Sequence, residues 1–360
     1  MNYRKNISVF KYEILGSSKH YAEIAGKINE ELNKGLSFTI LEADEKVIFL
    51  RSKRRNWIYC DRKDKNLYIS VYDKFFRASI IIEQILTSLW TNLMDFGGIR
   101  LIEYNLSKNI NAILLSKCNK EVSIDKLTGS KGPYFGMVFK PSFNLSLKQR
   151  IGIAKKFISI GGTFLKEDET YLIDRNELIE NASAIQDAIN KISLKGFYVP
   201  NVTSYLLDGN IFRQLYKAGI RIVMVNYLMA GLPTIAKIRN NFENMLLWGH
   251  RVGYSTIEKY ISMEAISSLA IHSGIDVIHI GTPFIALKIS VERCRKILES
   301  VRQINKKSIP VFTKTSHHIV PHLVKLFGND IVIMACGSLR TSGNINWNKV
   351  MRWIDAIKYA

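Results

Sequence analysis

From about residue 130 onward, short apolar runs alternate along the chain with segments in which apolar residues recur every three or four positions. Such runs are typical of buried parallel strands, and the longer spacing is typical of amphipathic helices. Strands are predicted over 135–140, 163–168, 196–203, 221–227, 245–250, 277–281, 309–314 and 331–336, with helices that include 147–158, 178–192, 256–270, 291–304 and 347–357. Eight units of about 29 residues each predict a (β/α)8 TIM barrel over residues 131–360.

Residues 1–130 show a different pattern, without regular alternation of strands and helices. Strands are predicted over 9–14, 38–41, 47–51, 67–71 and 99–104, and helices over 21–32 and 78–90. We therefore expect an α/β protein in which an N-terminal α+β domain with a ferredoxin-like antiparallel sheet, residues 1–130, precedes the barrel domain. Residues 123–133 contain two glycines and a proline and are predicted to form the linker.

The composition excludes several classes of protein. A chain of 360 residues, 47% apolar and 23% charged, is typical of one large or two ordinary globular domains and not of disorder. Its apolar runs are shorter than the roughly 18 residues of a spanning helix, and its start lacks a signal-peptide core, so we expect no membrane and a cytoplasmic location. Cys60, Cys118, Cys294 and Cys336 lie far apart in sequence, which favours free thiols over disulfides or a zinc site.

The charge balance is strongly basic, with 51 Lys and Arg against 31 Asp and Glu and a net charge of +20. Such a chain attracts phosphate-bearing partners. The densest basic run lies between Arg51 and Lys65 and includes Trp57 and Tyr59. It is either a solvated hairpin or a surface that binds nucleic acid by charge and stacking. The hairpin is favoured, because no helix-turn-helix, RNA-recognition or zinc-finger pattern surrounds the run.

Polar residues occur at the end of every predicted barrel strand. They are Lys140, Lys166 to Glu169, Asn201, Asn226, His250 with Arg251, His279, Lys314, and Cys336 to Ser338. The C-terminal strand ends of a TIM barrel carry its active site. Carboxylates and cations gathered there suit a hard metal ion and a phosphorylated substrate. Each residue taken singly is also compatible with a solvated charge at the rim.

Two segments resemble motifs of the large chain of ribulose bisphosphate carboxylase (RuBisCO). The segment GPYFGMVFKPSFNLS at 132–146 resembles the family's KPK-x-GLS segment, and GGTFLKEDE at 161–169 resembles GGxDFxKDDE. Further matches follow in the family's order: residues 76–104, NVT at 201–203, VMVNYLMAG at 223–231, GHRVGY at 249–254, IHIGT at 278–282 and FGNDIVIMACGS at 327–338. The resemblance covers nearly the whole chain, whose shortness points to the divergent RuBisCO-like branch.

The resemblance implies a Mg²⁺ site formed by Asp168, Glu169 and Lys166, with Lys166 carbamylated by CO₂. It also implies that Lys140, its pKa lowered by neighbouring cations, is the base that forms an enediolate, and that His250 lies next to the reacting sugar. The implied substrate and phosphate contacts are Arg251, His279, Asn201, Gly337 and Lys314. Asn92 and Glu31 match residues that a partner subunit lends to the site, which implies a homodimer or a larger homo-oligomer.

The chain departs from the family pattern at several positions. Ser142 replaces the second lysine of KPK, Tyr254 replaces a histidine, and Ala286 replaces the lysine of the loop after the sixth strand, with Lys288 two residues later. Only Gly337 remains of a triple glycine that binds phosphate, so Lys314 or Arg340 would supply positive charge there. Asn92 stands where the family's methionine-salvage enolases carry a lysine, which disfavours that substrate.

We therefore expect a RuBisCO-like enolase or isomerase that acts on a phosphorylated ketose. One alternative is carboxylation of ribulose 1,5-bisphosphate. Another is a non-catalytic barrel that binds nucleic acid or another polyanion.

Overall fold

The computed structural model describes residues 6–15, 23–28, 38–43, 47–52, 57–61, 65–95, 97–116, 122–193, 195–242, 244–285 and 289–359, with backbone alone at 38–61. Two compact units are present. The sheet unit comprises Met1–Lys117 and Gly253–His272, and the barrel unit comprises Cys118–Val252 and Ser273–Ala360. Within these described ranges, no helix is long and apolar enough to cross a membrane.

Strands and helices are numbered along the chain. The strands are β1 (Ile7–Ile14), β2 (Phe38–Ala43), β3 (Val47–Ser52), β4 (Trp57–Asp61), β5 (Asn66–Tyr72), β6 (Ile99–Asn105), β7 (Tyr134–Val138), β8 (Phe164–Lys166), β9 (Phe197–Val199), β10 (Ile222–Asn226), β11 (Leu246–His250), β12 (Val277–His279), β13 (Ile309–Phe312), β14 (Val332–Ala335), β15 (Arg340–Thr341) and β16 (Asn344–Ile345). The helices are α1 (residues 23–28), α2 (Ile81–Leu86), α3 (Asn92–Met94), α4 (Lys108–Ser116), α5 (Ile124–Thr128), α6 (Leu147–Ser159), α7 (Arg175–Asn190), α8 (Gly209–Lys217), α9 (Tyr227–Ala230), α10 (Leu232–Asn241), α11 (Tyr254–Ile257), α12 (Met263–His272), α13 (Val291–Ile304), α14 (Val320–Phe327) and α15 (Trp347–Asp355).

The sheet unit is built on a six-stranded antiparallel sheet in the order β2-β3-β4-β5-β1-β6. Alternate residues of β1 and β5 are buried, among them Phe10 and Ile69, so one face of the sheet carries the core. The predicted strands are confirmed, and β4 is an addition. β4 pairs antiparallel with β3, so residues 51–52 and 57–61 of the basic segment lie on two paired strands. Residues 53–56 and 62–64 lie outside the described residues, as do the side chains of the whole stretch 51–64.

A buried histidine joins α12 to the sheet unit. The Tyr104 hydroxyl lies 2.6 Å from Nδ1 of His272, and Nε2 of His272 lies 2.8 Å from Oδ1 of Asn111. A neutral imidazole that donates from Nε2 and accepts at Nδ1 satisfies both contacts. Burial lowers the pKa of His272 to about 3.

The barrel unit contains eight parallel strands in the order β10-β11-β12-β13-β14-β7-β8-β9. A bridge between Asn201 and Met224 joins β9 to β10, so the barrel is nearly closed. Inward-facing aromatic and aliphatic side chains fill its interior, with Phe164 and Trp248 packed edge to face. The fold predicted from the sequence is therefore confirmed.

Two local predictions need correction. Residues 124–128 of the expected linker form α5 instead, because Ile124 belongs to the apolar cluster inside the barrel and Leu127 packs against it. The helix predicted over 256–270 is divided into α11 and α12, because Ile261 forms a strand-like bridge with Leu101 between them.

Two adjacent glycines, Gly161 and Gly162, precede β8, and each position requires glycine for a different physical reason. Gly161 has φ = +99°, a conformation that L side chains rarely adopt. A Cβ on Gly162 would lie 2.3 Å from the Phe157 ring, so only glycine allows α6 to pack this closely on the entry to β8. The Gly-Gly pair thus sets the strand that ends in Lys166.

Candidate active site

The C-terminal ends of the barrel strands surround a cavity of about 720 Å³. Its lining includes seven site residues predicted from the sequence, namely Lys140, Lys166, Glu169, His250, His279, Lys314 and Gly337, together with neighbours that include Thr313, Cys336, Ser338, Arg340 and Gly343. Lys166, His250 and His279 are the last residues of β8, β11 and β12, and the segments that follow β7, β8, β13 and β14 contribute the others. The cavity therefore lies at the face of the barrel where such folds carry their active sites.

Lys140 lies between two carboxylates. Its Nζ is 2.6 Å from Oδ2 of Asp168 and 4.0 Å from Oε1 of Glu169. Burial lowers the pKa of Lys140, but the hydrogen bond to Asp168 and the charge of Glu169 together raise it above its ordinary value. The expectation that neighbouring cations lower this pKa is thus wrong for the protein without ligands, because carboxylates are the groups that Lys140 contacts.

Lys166 is buried at the end of β8. Its Nζ donates a hydrogen bond of 2.6 Å to the carbonyl oxygen of Glu167 and contacts Sδ of Met224 at 2.9 Å. Burial lowers the pKa of Lys166 to about 8, although the charges of Glu169 and Asp168 oppose this shift. At about pH 7 roughly one tenth of this side chain is then a neutral, nucleophilic amine, far more than for an ordinary lysine.

Asparagine side chains hold the turn that carries Asp168 and Glu169. Nδ2 of Asn201 and Nδ2 of Asn226 donate to the carbonyl oxygen of Glu169 at 3.2 and 3.1 Å. Oδ1 of Asp168 accepts hydrogen bonds from the backbone N–H and the hydroxyl of Thr170 at 3.0 and 2.6 Å. Burial raises the pKa of Asp168, but the hydrogen bonds from Lys140 and Thr170 bring it below its ordinary value. In this structure Asn201 holds the turn, and its contact with substrate stays a prediction.

His250 and His279 lie side by side, with ring centroids 4.6 Å apart. Nε1 of Trp248 donates to Nε2 of His279 at 2.8 Å, so Nδ1 of a neutral His279 carries its proton. Nδ1 of His250 accepts from the backbone N–H of Val252 at 3.3 Å, and its Nε2 lies 3.7 Å from Oε2 of Glu169. Burial lowers the pKa of both histidines far below the ordinary value, aided for His250 by the charge of Lys166. Both rings are therefore neutral at physiological pH.

Lys314 and Arg340 add positive charge to the lining of the cavity. Lys314 is exposed with φ = +57°, and Arg340 donates to the carbonyl oxygen of Gly343 in the β15–β16 hairpin. Ser338 donates to the carbonyl oxygen of Thr315 at 2.6 Å. Cys336 and Gly337 line the wall beside them, and Cys336 and Cys294 are free thiols, as expected.

The remaining predicted residues lie elsewhere. The Arg251 guanidinium lies against Gly281, where an added Cβ would be only 3.2 Å from its Nη2. Asn92 begins α3 in the sheet unit and is half-buried. Glu31, Ala286 and Lys288 lie outside the described residues.

A buried polar network beneath the site was not predicted. Arg150, Glu167 and Tyr198 are each at most 1% exposed, and the Arg150 guanidinium and the Tyr198 hydroxyl both donate to Oε1 of Glu167. Arg150 lies on the buried face of α6 with Ala154 and Phe157. An arginine at helical spacing with apolar residues is the sequence signal that could have indicated a buried ion pair.

The donor groups at the cavity limit how a metal could be held. Nowhere in the described part of the chain do three His, Cys, Asp or Glu side chains lie close enough together to hold a metal ion. Asp168 and Glu169 supply two carboxylates, and their contact with the Lys140 ammonium shows that the pair attracts a cation. Mg²⁺ is commonly held by one or two carboxylates together with water and substrate oxygens, and the buried amine of Lys166 interacts electrostatically with this carboxylate pair.

The comparisons with known proteins agree with the fold. A family model described as the ribulose bisphosphate carboxylase large chain, catalytic domain, matches residues 119–303, a little over half of the chain. The ribulose bisphosphate carboxylase of Pyrococcus furiosus is 26% identical over 223 residues, which cover 58% of this chain and 53% of that protein. The chain thus spans about half the length of the curated relatives it matches.

Solved structures resemble the chain over nearly its full length. An octameric ribulose-1,5-bisphosphate carboxylase/oxygenase from Pyrococcus horikoshii has a TM-score of 0.83 at 18% identity, covering 100% of this chain and 90% of its own. A rubisco-like protein from Alicyclobacillus acidocaldarius has a TM-score of 0.79 at 15% identity, covering 99% and 94%. At these identities the likeness establishes the fold.

Proposed function

Because the chain belongs to the family of ribulose bisphosphate carboxylase large chains, we propose that it is a Mg²⁺-dependent RuBisCO-like enzyme that enolises or isomerises a phosphorylated ketose. One observation carries this proposal. The ammonium of Lys140, the candidate base, contacts the carboxylates of Asp168 and Glu169 at a cavity whose lining also includes the buried Lys166. This combination supplies a base, a candidate metal site and a lysine that can react with CO₂.

Asp168, Glu169 and Lys166 fit a Mg²⁺ site as its ligands. The neutral amine of Lys166 can add to CO₂ with release of one proton, and the resulting carbamate would be the third anionic oxygen ligand. Oxygen donors of this kind are the ones that Mg²⁺ prefers. When bound, Mg²⁺ supplies a Lewis acid that polarises a carbonyl and stabilises negative charge on oxygen.

Lys140 is the proposed base. It must lose a proton before it can remove one from carbon, and its contacts with Asp168 and Glu169 oppose that loss by raising its pKa. Lys140 can therefore act as a base only when its ammonium is no longer paired with these carboxylates. Its side chain is 45% exposed, so it has room to turn toward a substrate in the cavity.

The two histidines are proposed to orient the sugar. Each is neutral, and each has a defined N–H: Nδ1–H of His279, because Trp248 occupies its Nε2, and Nε2–H of His250, because Val252 occupies its Nδ1. These donors can bind hydroxyl or phosphate oxygens without adding a charge.

The phosphate contacts are proposed from two groups of residues. Lys314, Arg340 and Gly337 line the cavity, and Arg251 follows β11 with its guanidinium against Gly281, outside that lining. The two lining cations suit a substrate that carries an anionic group.

A second copy of this chain is the proposed partner. Phe143, Leu172, Leu207 and Met229 follow β7, β8, β9 and β10, and they are between 50% and 86% exposed. A second subunit would cover such apolar side chains around the mouth of the barrel. The predicted contributions of Asn92 and Glu31 to a partner's site belong to the same proposal.

Solvent isotope exchange tests the proposed function. Ketose phosphates, including ribulose 1,5-bisphosphate, are incubated in ²H₂O with Mg²⁺ and bicarbonate, and loss of the C–H signal is followed by NMR. We expect exchange with the wild type and with Lys155→Met, an exposed control on α6, and none with Lys140→Met or Lys166→Met. Equal exchange in all four proteins, or in none with any ketose phosphate, contradicts the proposal.

Carboxylation is the second candidate, favoured by the names of the curated relatives. Labelled CO₂ that enters an acid-stable product from ribulose 1,5-bisphosphate would establish it. Proton exchange without stable label would establish the enolase or isomerase. Salt-sensitive binding of polyanions that survives Lys166→Met, with no exchange at all, would instead support the non-catalytic barrel.

A further inference from the structure

Arg150 is the centre of a buried clamp beneath the candidate active site. Its side chain is 1% exposed. Nη2 donates to the carbonyl oxygen of Ser142 at 2.5 Å, Nε donates to the carbonyl oxygen of Leu145 at 3.2 Å, and Nη1 donates to Oε1 of Glu167. The guanidinium also lies over the Tyr171 ring, 4.2 Å from its centroid.

These contacts join two segments of the site. Residues 139–145, the Lys140 turn, carry the proposed base, and residues 166–171, the carboxylate turn, carry the proposed metal ligands. Arg150 contacts Ser142 and Leu145 in the first turn, and Glu167 and Tyr171 in the second. The Phe139 ring, 5.2 Å from the guanidinium, adds a contact immediately before Lys140.

Glu167 connects Arg150 to the candidate active site because it lies between Lys166 and Asp168, directly after β8. Successive side chains of an extended segment point to opposite sides, so Glu167 points away from the side shared by Lys166 and Asp168. Its Oε1 accepts from Arg150 and, at 2.7 Å, from the Tyr198 hydroxyl. Holding Glu167 on the outside therefore fixes the rotation at which Lys166 and Asp168 face the cavity.

The fork of the guanidinium is what makes this arrangement possible. Arginine presents five N–H groups in a rigid plane, which can serve two carbonyls and one carboxylate together while the plane stacks on aromatic rings. A lysine at the same position keeps the charge but lacks this geometry.

We propose that Arg150 is a positioning residue that sets the separation between Lys140 and the carboxylates of Asp168 and Glu169. It touches no reacting atom and acts through the two turns it joins. This inference rests on the proposed function for its kinetic consequences, but the geometry it predicts can be tested separately.

The chain offers a matched control at the opposite end of the barrel. Arg239 is also 1% exposed, donates to the carbonyl oxygens of Gly274 and Met245, and pairs with the buried Asp276. Asp276 precedes β12 and Met245 precedes β11, so this pair lies at the N-terminal strand ends. That face contributes to stability and not to chemistry in TIM barrels.

The test compares Arg150→Met, Arg150→Lys and Glu167→Gln with Arg239→Met. Mg²⁺ affinity is measured by calorimetry with bicarbonate, and kcat and KM are measured from proton exchange, on protein that circular dichroism shows to be folded. We expect the Arg150 variants to lose about tenfold or more in Mg²⁺ affinity and in kcat, with KM within about twofold. Arg239→Met should lower the melting temperature but leave both values within about twofold of the wild type.

Two results would overturn the inference. One is a folded Arg150→Lys protein with wild-type Mg²⁺ affinity and kcat, and the other is an equal loss in Arg239→Met. If Arg150→Met does not fold, Arg150→Lys and Glu167→Gln decide the outcome.

A wild type that neither binds Mg²⁺ nor exchanges protons would refute the proposed function, and crystal structures of the wild type and Arg150→Lys then decide the positioning role alone. We expect the 2.6 Å contact between Lys140 and Asp168 to open beyond about 4 Å in the variant. An unchanged contact would overturn the inference.

Discussion

Lys166 should react with CO₂ much faster than an exposed lysine at neutral pH. Only the neutral amine reacts, and burial lowers the pKa of Lys166 from 10.5 to about 8. At about pH 7 roughly one tenth of the Lys166 side chain is then neutral, against about 0.03% for a lysine of ordinary pKa. The expected advantage in rate is about 300-fold at that pH, and it shrinks to about 75-fold near pH 8.5.

The rate can be measured residue by residue. The protein is pulsed with labelled CO₂ at a fixed dissolved concentration, carbamates are trapped by alkylation, and peptides are mapped by mass spectrometry. Labelling of Lys166 should rise about tenfold per pH unit below about pH 8 and level off above it. Exposed Lys155 in the same digest is the comparison, and Lys166→Met removes the label. A Lys166 rate that keeps rising to about pH 10, or that equals the Lys155 rate at about pH 7, would refute the lowered pKa.

Three other predictions concern stability and binding. In the folded protein the pKa of His272 is lowered from 6.5 to about 3, so the ring stays neutral. Its contribution to the free energy of unfolding is therefore complete above about pH 6.5 and decreases as the pH falls, by about 3 kcal/mol at about pH 4.5. Urea unfolding of His272→Gln should show a shallower pH dependence than the wild type, and equal slopes would contradict this. Trp248→Phe removes the donor to buried Nε2 of His279 and should lower the free energy of unfolding by about 1–3 kcal/mol; a loss below about 0.5 kcal/mol by urea unfolding would argue against the bond. Lys314→Gln and Arg340→Gln should each raise KM for a ketose phosphate about tenfold with kcat nearly unchanged, and steady-state kinetics with unchanged KM would remove these residues from the phosphate site.

The sequence predicts the barrel well because buried strands appear in it as short runs of apolar residues and amphipathic helices as apolar residues every three or four positions. Each of the eight predicted strands begins within one residue of the observed one, as in β7 and β12. Several predicted strands end later than the observed ones, as at Lys140 and Asp168. The loops at the mouth of the barrel are partly buried, so the apolar pattern continues past the last hydrogen-bonded residue of the strand. The family resemblance implies twelve site residues, and seven of them line one cavity: Lys140, Lys166, Glu169, His250, His279, Lys314 and Gly337.

What the sequence does not predict depends on contacts between distant residues. The pKa of Lys140 depends on whether cations or carboxylates surround it, and only the fold shows that Asp168 and Glu169 are its neighbours. In the sequence, Arg150 cannot be distinguished from the other charged residues of an amphipathic helix, and only the fold shows that it pairs with Glu167. The sequence predicts a linker at α5 because the glycines next to it are typical of a loop, and the few apolar residues of α5 are too few to show helical periodicity.

The central claim is that Lys166, Asp168 and Glu169 form a Mg²⁺ site that requires CO₂. Calorimetric titration with Mg²⁺, with and without bicarbonate, on the wild type and on Lys166→Met tests it most directly. We predict binding by the wild type only when bicarbonate is present, and no binding by Lys166→Met under either condition. Equal Mg²⁺ binding by both proteins, or binding by neither, would contradict the claim.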